Sequence, residues 1–263
     1  MDKIFITPCR AASRTYRDFQ YLFVARKAMK IIMIKTLLWD IDGTLLNFEK
    51  AENYAIKKCF EFFGIGKCND EMVARYSHIN RKYWEALERG DITKPQVLQG
   101  RFHEFFKFEN ISFDRVDDFN AEYQVRLGDK FFFCDNGYET VSSLKGKIKQ
   151  YAVTNGTFIA QSRKLTQSGL IDIFNGVFIS DKIGFEKPSV KFFEAVQKKI
   201  GEFSPNEVMI IGDSLTSDMR GGNNADILCC WYNPLGAENK YDIKFDYEIK
   251  DIAEVLKIIN NRF

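Results

Sequence analysis

The stretch TLLWDIDGTLLNF, Thr36 to Phe48, runs through large apolar residues and halts at two carboxylates, Asp40 and Asp42, with Gly43 and Thr44 directly behind. A short continuous apolar run of this kind suits a parallel strand covered on both faces. Comparable runs recur at Lys147–Asn155 (KIKQYAVTN), Gly176–Ser180 (GVFIS), Glu207–Asp213 (EVMIIGD) and Ile227–Asn233 (ILCCWYN). Helical stretches separate them, at Tyr138–Leu144, Phe158–Ser168, Val190–Ile200 and Asp218–Asn224. Strand alternating with helix predicts the α/β class, a Rossmann-like parallel sheet wrapped by helices. Chemistry in such open sheets collects beyond the carboxyl ends of the strands. Asp40, Thr154 with Asn155, Ser180 and Asp213 all fall at those ends.

From Glu49 to Phe133 the alternation stops, and apolar residues recur at helical spacing: Ala55, Cys59, Phe60 and Phe63, then Tyr76, Ile79, Tyr83 and Leu87, then Phe102, Phe105 and Phe106. An insertion this long is too large for a loop. It predicts a helical cap domain, residues 49–133, over the strand ends of an α/β core formed by residues 33–48 and 134–263. Residues 1–32 read as an N-terminal extension ahead of that core, although their arginines are also what a targeting segment would carry.

The formal charge of +2 gives no pull toward nucleic acid or anionic lipid. No apolar run approaches the roughly 18 residues of a membrane span. Six cysteines without a C-x-x-C pair read as reduced thiols in a cytoplasmic protein. The expected partner is therefore a small molecule, with no nucleic acid and no membrane; nothing in the sequence sets an oligomeric state.

Each polar motif has a bland alternative when taken alone. Asp40-x-Asp42-Gly43-Thr44 could be a solvated turn. Thr154 and Asn155 could hold phosphate oxygens or merely cap a helix. Lys187 could be surface charge, and Asp218 a helix N-terminal acid. Electrostatics weighs the set together. Two carboxylates about 4 Å apart repel by roughly 4 kcal/mol at an effective dielectric near 20. Convergence of Asp40, Asp42 and Asp213 would thus cost on the order of 12 kcal/mol, comparable with the roughly 5–15 kcal/mol that holds a whole domain together. Such a cluster needs positive charge. Magnesium is a hard, oxygen-preferring ion that takes few carboxylates and a substrate phosphate, and Lys187 would add a fixed cation. Zinc is not suggested, because the cysteines and both histidines lack ligand spacing. One carboxylate can then attack a phosphoryl group, splitting hydrolysis into two steps, while a second exchanges a proton with the leaving oxygen and the water.

The ordered set DIDGT, TNG, EKP and GDSLTSD resembles the four motifs of haloacid dehalogenase-like (HAD) phosphohydrolases, over roughly Met33 to the C-terminus. The resemblance implies Asp40 as nucleophile and Asp42 as general acid/base. It places Thr154 and Asn155 on phosphate, with Lys187 stabilising both nucleophile and phosphate. It also implies magnesium held by the Asp40 side chain, the Asp42 backbone carbonyl and Asp213, with Asp218 nearby. The segments YWEALERGDITKPQVLQGRF, ISDKIGFEKP and CCWYNP are similar to the YjjG-like branch, whose members are pyrimidine 5′-nucleotidases. The function implied is a magnesium-dependent phosphatase working through an aspartyl-phosphate, acting on nucleoside monophosphates. Alternatives are a phosphomutase or a sugar-phosphate or phosphoglycolate phosphatase on the same scaffold, and, in a different class, a non-catalytic binding module. Tyr83 and Trp84 could stack on a pyrimidine, but their helical spacing makes cap core the expectation. His78 and His103 read as surface or packing residues, and Cys229 with Cys230 as packing within a strand.

Overall fold

A computed structural model describes residues 33–260; the expected extension, residues 1–32, lies outside the described residues. The apolar runs become strands β1 (Thr36–Trp39), β2 (Lys149–Thr154), β3 (Gly176–Ile179), β4 (Val208–Gly212) and β5 (Leu228–Tyr232). A sixth strand that the sequence did not suggest, β6 (Tyr247–Ile249), pairs with β5. With three residues and one charged side chain, it carries too little apolar signal to be read alone. The sheet order is β3-β2-β1-β4-β5-β6, and every pairing is parallel. Alternate side chains feed opposite faces. Leu37, Trp39, Met209 and Ile211 join one buried cluster, and Leu38, Val208 and Ile210 join the other. Both faces are thus dry, which explains why these strands read as unbroken apolar runs.

Between β1 and β2 the chain forms four helices, α1 (Phe48–Phe63), α2 (Asp70–Arg89), α3 (Lys94–Phe108) and α4 (Val116–Leu127). They enclose an aromatic interior in which Phe60, Phe102, Phe105, Phe106 and Phe119 meet Tyr76 and Tyr123, largely edge to face. Much of the chain's phenylalanine is therefore spent on a small helical core, where large rigid rings fill volume between short helices. Asn47 caps α1 by accepting from the Lys50 N–H, and Gly64 closes it in the left-handed conformation. The entering and leaving chains pair where Leu46 bridges Phe133 and the Asn47 N–H donates to the Phe132 carbonyl.

The remaining helices cover the sheet: α5 (Gly137–Leu144), α6 (Phe158–Gln167), the single turn α7 (Ser180–Ile183), α8 (Val190–Ile200), α9 (Arg220–Asn224) and α10 (Glu254–Asn260). Leu215–Met219 forms a π-helical turn ahead of α9, so the expected helix from Asp218 begins inside a wider turn. Helix α4 rests on α6, and Ala160 of α6 completes the aromatic cluster of the inserted helices. No helix among the described residues is long and apolar enough to cross a membrane. The five described cysteines form no disulfide.

Candidate active site

Hydrogen bonding carries the ends of β1, β2 and β4 to one place. The Asp40 N–H donates to the Ile211 carbonyl, extending the β1–β4 ladder by one rung so that Asp40 emerges beside β4. Lys187 reaches in from the loop before α8, fully buried, and its Nζ lies 2.6 Å from Asp40 Oδ1, 2.6 Å from Asp218 Oδ1 and 2.8 Å from the Val153 carbonyl. An ammonium has three N–H donors, and all three are used. Burial opposes the charge on Lys187, but Asp218 and Asp40 outweigh it and raise the group above the ordinary lysine range, so it stays protonated.

Carboxylate oxygens of Asp40, Asp213 and Asp218 lie within 4.8 Å of one another. This corrects the expected trio: Asp218, not Asp42, completes the cluster. Asp218 is buried, with Oδ1 on Lys187 and Oδ2 accepting from the Ser214 N–H. Thr44 stands between the other two. Its hydroxyl lies 3.2 Å from Asp40 Oδ2 and 3.1 Å from Asp213 Oδ1, and it accepts from the Asp213 N–H. Two glycines admit these acids. A Cβ on Gly43, whose φ is +91°, would sit 2.5 Å from Asp213 Oδ2, and one on Gly212 would sit 2.2 Å from Asp218 Oδ2. Neither position tolerates a side chain while the carboxylates stay where they are.

Burial first, then repulsion from Asp218 and Asp213, hold the Asp40 carboxyl well above its ordinary range against the pull of Lys187. Desolvation in the cleft and the charge of Asp218 push Asp213 the same way, though the residue still shows a face to solvent. With all three carboxyls ionised, one ammonium leaves two negative charges, and a divalent cation would offset both and favour that ionised state. An all-oxygen donor set, an excess of two negative charges and an open side at Asp213 fit magnesium. Asp40, Asp213 and Asp218 are the side chains that would hold it or orient its waters.

Asp42 points elsewhere. Its Oδ1 lies 2.5 Å from Lys164 Nζ and its Oδ2 2.6 Å from Gln161 Nε2, both on α6. Any part of Asp42 in holding a metal therefore falls to its backbone carbonyl. Thr154 is buried at the end of β2, where its Oγ1 accepts from the Gly156 N–H. The Asn155 side chain is committed to Lys187: Nδ2 donates to the Lys187 carbonyl and Oδ1 accepts from its N–H, each at 2.8 Å. Only the Asn155 backbone is left to meet a phosphate.

The sequence reading missed several groups here. Nothing in the sequence marks Thr44 as the residue that bridges Asp40 and Asp213. Lys164 and Gln161 carried no motif signal. From the inserted helices, Glu88 of α2 accepts from Thr216 Oγ1 at 2.5 Å, and burial pushes its carboxyl up to about 7. Lys94 at the start of α3 donates to Ser180 Oγ at 3.0 Å and to the Gly156 carbonyl at 3.3 Å. Tyr83 packs against the aromatic cluster as expected, and His78 and His103 lie exposed.

A family model described as haloacid dehalogenase-like hydrolase matches residues 34–226, the span that contains every one of these polar groups. The chain belongs to the haloacid dehalogenase-like hydrolases. It is an enzyme of hydrolase type, as the ordered motifs implied. Among the relatives of this HAD chain is the putative HAD-hydrolase YfnB of Bacillus subtilis, 36% identical over 226 residues, 86% of this chain and 95% of that one. A crystal structure of YfnB bound to magnesium, described as revealing interdomain movement, aligns with a TM-score of 0.82 at 35% identity over 87% of this chain and 99% of that one. The pyrimidine 5′-nucleotidase PynA of Streptococcus pneumoniae is 33% identical over 228 residues, 86% of this chain and 95% of that one. The pyrimidine 5′-nucleotidase YjjG of Escherichia coli is 24% identical over 225 residues, 85% and 96%. The HAD-like branch expected from the sequence is thus represented among the relatives.

Proposed function

We propose that this enzyme is a magnesium-dependent phosphomonoesterase that hydrolyses nucleoside 5′-monophosphates, pyrimidine ones foremost, through an aspartyl-phosphate on Asp40. The observation that carries this reading is the Lys187 ammonium, 2.6 Å from both Asp40 and Asp218 with Asp213 alongside. A buried acidic cluster with one cation is a costly arrangement for stability alone, and it suits the binding of a metal and a phosphoryl group together. The nucleotide preference is supported by the relatives PynA and YjjG.

Asp40 attacks phosphorus in line with the ester oxygen, and the P–O bond to the leaving alcohol breaks as the Asp40–phosphorus bond forms. Asp42, in its protonated form, gives its proton to the leaving oxygen and recovers one from the attacking water as the acyl-phosphate is hydrolysed, while Lys164 and Gln161 hold its carboxylate between the two steps. Lys187 and the backbone N–H groups after Thr154 neutralise the transferring oxygens. Magnesium, when bound, polarises the phosphoryl group and makes the acidic cluster tolerable. The four inserted helices act as a cap that closes over the substrate and excludes water; Glu88 and Lys94 are its contacts with the core on this side. The unpaired thiols accord with a cytoplasmic setting.

The test is a phosphate-release screen over nucleoside monophosphates and sugar phosphates, with and without magnesium. Release from pyrimidine nucleotides that depends on magnesium is the expected result. Isomerised sugar phosphate without free phosphate would mean a phosphomutase. Preference for sugar phosphates would mean another phosphatase, and ligand binding without turnover a regulatory module.

A further inference from the structure

We propose that Trp84 forms the wall against which the planar base of the substrate stacks, on the α2 side of the cleft. The proposal rests on the nucleotide reading above and deepens it by naming the residue that selects for a ring.

Three observations place Trp84 there. The first is its bracketing along one helix face. Residues four apart on a helix lie on the same side, one turn above the other. Asn80, one turn before Trp84, donates to Glu52 of α1 at 2.8 Å. Glu88, one turn after it, accepts from Thr216, two residues from Asp218. Trp84 lies between a residue turned to the start of the inserted helices and a residue bonded to Thr216 in the turn that presents Asp218, on the face of α2 shared by the two.

The second is the state of the ring. Trp39 donates its indole N–H to Gln150 Oε1 and Trp231 donates to the Asp213 carbonyl, both as core residues. Trp84 is only half-buried, and among the described residues its indole N–H has no protein acceptor. The third is packing. Its neighbour Tyr83 belongs to the aromatic interior of the inserted helices. Trp84 joins none of the three hydrophobic clusters and none of the ring–ring pairs among the described residues, and Leu87 on the same face is likewise outside the clusters. The expectation that both rings are cap core holds for Tyr83 and is corrected for Trp84. A large ring held on a rigid helix, half-buried and outside the hydrophobic clusters, matches a leaving alcohol that carries a planar base.

The experiment compares two esters of the same phosphate, uridine 5′-monophosphate and ribose 5-phosphate, on the wild type, Trp84→Ala and Trp84→Phe. Base–aromatic stacking removed by alanine corresponds to about a 5- to 150-fold loss. The ratio of kcat/KM for the nucleotide over the sugar phosphate should fall by that factor in Trp84→Ala and stay within a few-fold of wild type in Trp84→Phe. A parallel titration follows tryptophan emission: uridine 5′-monophosphate should quench it in the wild type, inorganic phosphate should not, and Trp84→Phe should lose the quench. An unchanged ratio together with an unchanged quench would overturn the assignment and leave Trp84 a packing residue. If the wild type itself releases no phosphate from any nucleoside monophosphate, it is the nucleotide reading that fails, and the quench decides whether Trp84 still meets a ring.

Discussion

Asn155 grips the backbone of Lys187 from both sides, donating to its carbonyl and accepting from its N–H at 2.8 Å each. The end of β2 is thereby fastened to the loop before α8, and the lysine side chain can run back beneath it to Asp40. The same amide also reaches Ser217 Oγ at 3.2 Å, in the turn that presents Asp218. One side chain therefore ties together three of the segments that build the site.

Asn155→Ala should lower kcat without abolishing the fold. Three hydrogen bonds of about 0.5–1.5 kcal/mol each put the stability loss at roughly 1.5–4.5 kcal/mol. A displacement of Lys187 of about 1 Å is enough to cost on the order of 100-fold in rate. Steady-state phosphate release and urea unfolding measure the two effects, and a variant with wild-type kcat would show that the grip is not what aligns the lysine.

Asp40→Asn should release no phosphate while unfolding at or above the wild-type temperature. The variant loses the nucleophile, but it also removes one of three crowded carboxylates and keeps an oxygen for Lys187. Thermal unfolding in parallel with a phosphate assay checks both halves. Undiminished turnover would move the nucleophile to another residue.

The sheet was legible because each strand is buried on both faces, and the ends of β1, β2 and β4 were legible because Asp40, Thr154 and Asp213 interrupt apolar runs. What the sequence hid was direction. Asp40 and Asp42 sit two apart, which in an extended chain puts both on one side, yet the turn at Gly43 sends Asp42 to α6 and leaves Asp40 with Lys187. Asp218 looked like a helix-terminal charge, and its burial beside Gly212 depends on a π-helical turn that no local pattern announces. Lys164 and Gln161 owe their roles to contacts more than a hundred residues away in the chain, which periodicity cannot carry.

The Lys164–Asp42 pair should be asymmetric. Lys164 is almost wholly buried, whereas Asp42 keeps about a fifth of its side chain in solvent. Asp42→Ala therefore strands a buried ammonium and should cost about 3–5 kcal/mol, while Lys164→Met leaves a carboxylate that retains Gln161 and water and should cost less. The double variant should be more stable than Asp42→Ala alone. Urea unfolding of the four proteins of this cycle gives the coupling, and additive effects would mean that the two charges do not act as a pair.

Glu52 should make stability fall with rising pH. It is buried in α1, where desolvation raises its carboxyl to about 6 against the hydrogen bonds from Ser77 and Asn80. A raised acid is neutral in both states below about 4.5, so its full contribution is present there. That contribution is lost as the pH climbs through about 6 and the folded protein must ionise it, a change of about 2 kcal/mol. Glu52→Gln should lack this component, so its advantage over wild type in urea unfolding should grow between pH 4.5 and 6.5 and then level off. A constant difference across that range would place the ionisation elsewhere.

Magnesium should reverse the stability order of the wild type and Asp213→Asn. Without the ion, Asp213 stands among like charges, and its neighbours Asp40 and Asp218 share one ammonium. Removing its charge relieves repulsion and preserves an oxygen for the Thr44 hydroxyl, so Asp213→Asn should melt higher than wild type in chelator. A ligand at a hundred times its dissociation constant adds about 2.7 kcal/mol to a protein that binds it, which for a chain of this size is roughly 5–10 °C. The wild type should gain that shift in magnesium and overtake the variant, whose site has lost a ligand and a full negative charge. Calcium-free melting curves with and without magnesium decide the matter independently of turnover. If both proteins shift equally, the ion binds away from Asp213, and the charge balance inferred for the cluster is wrong.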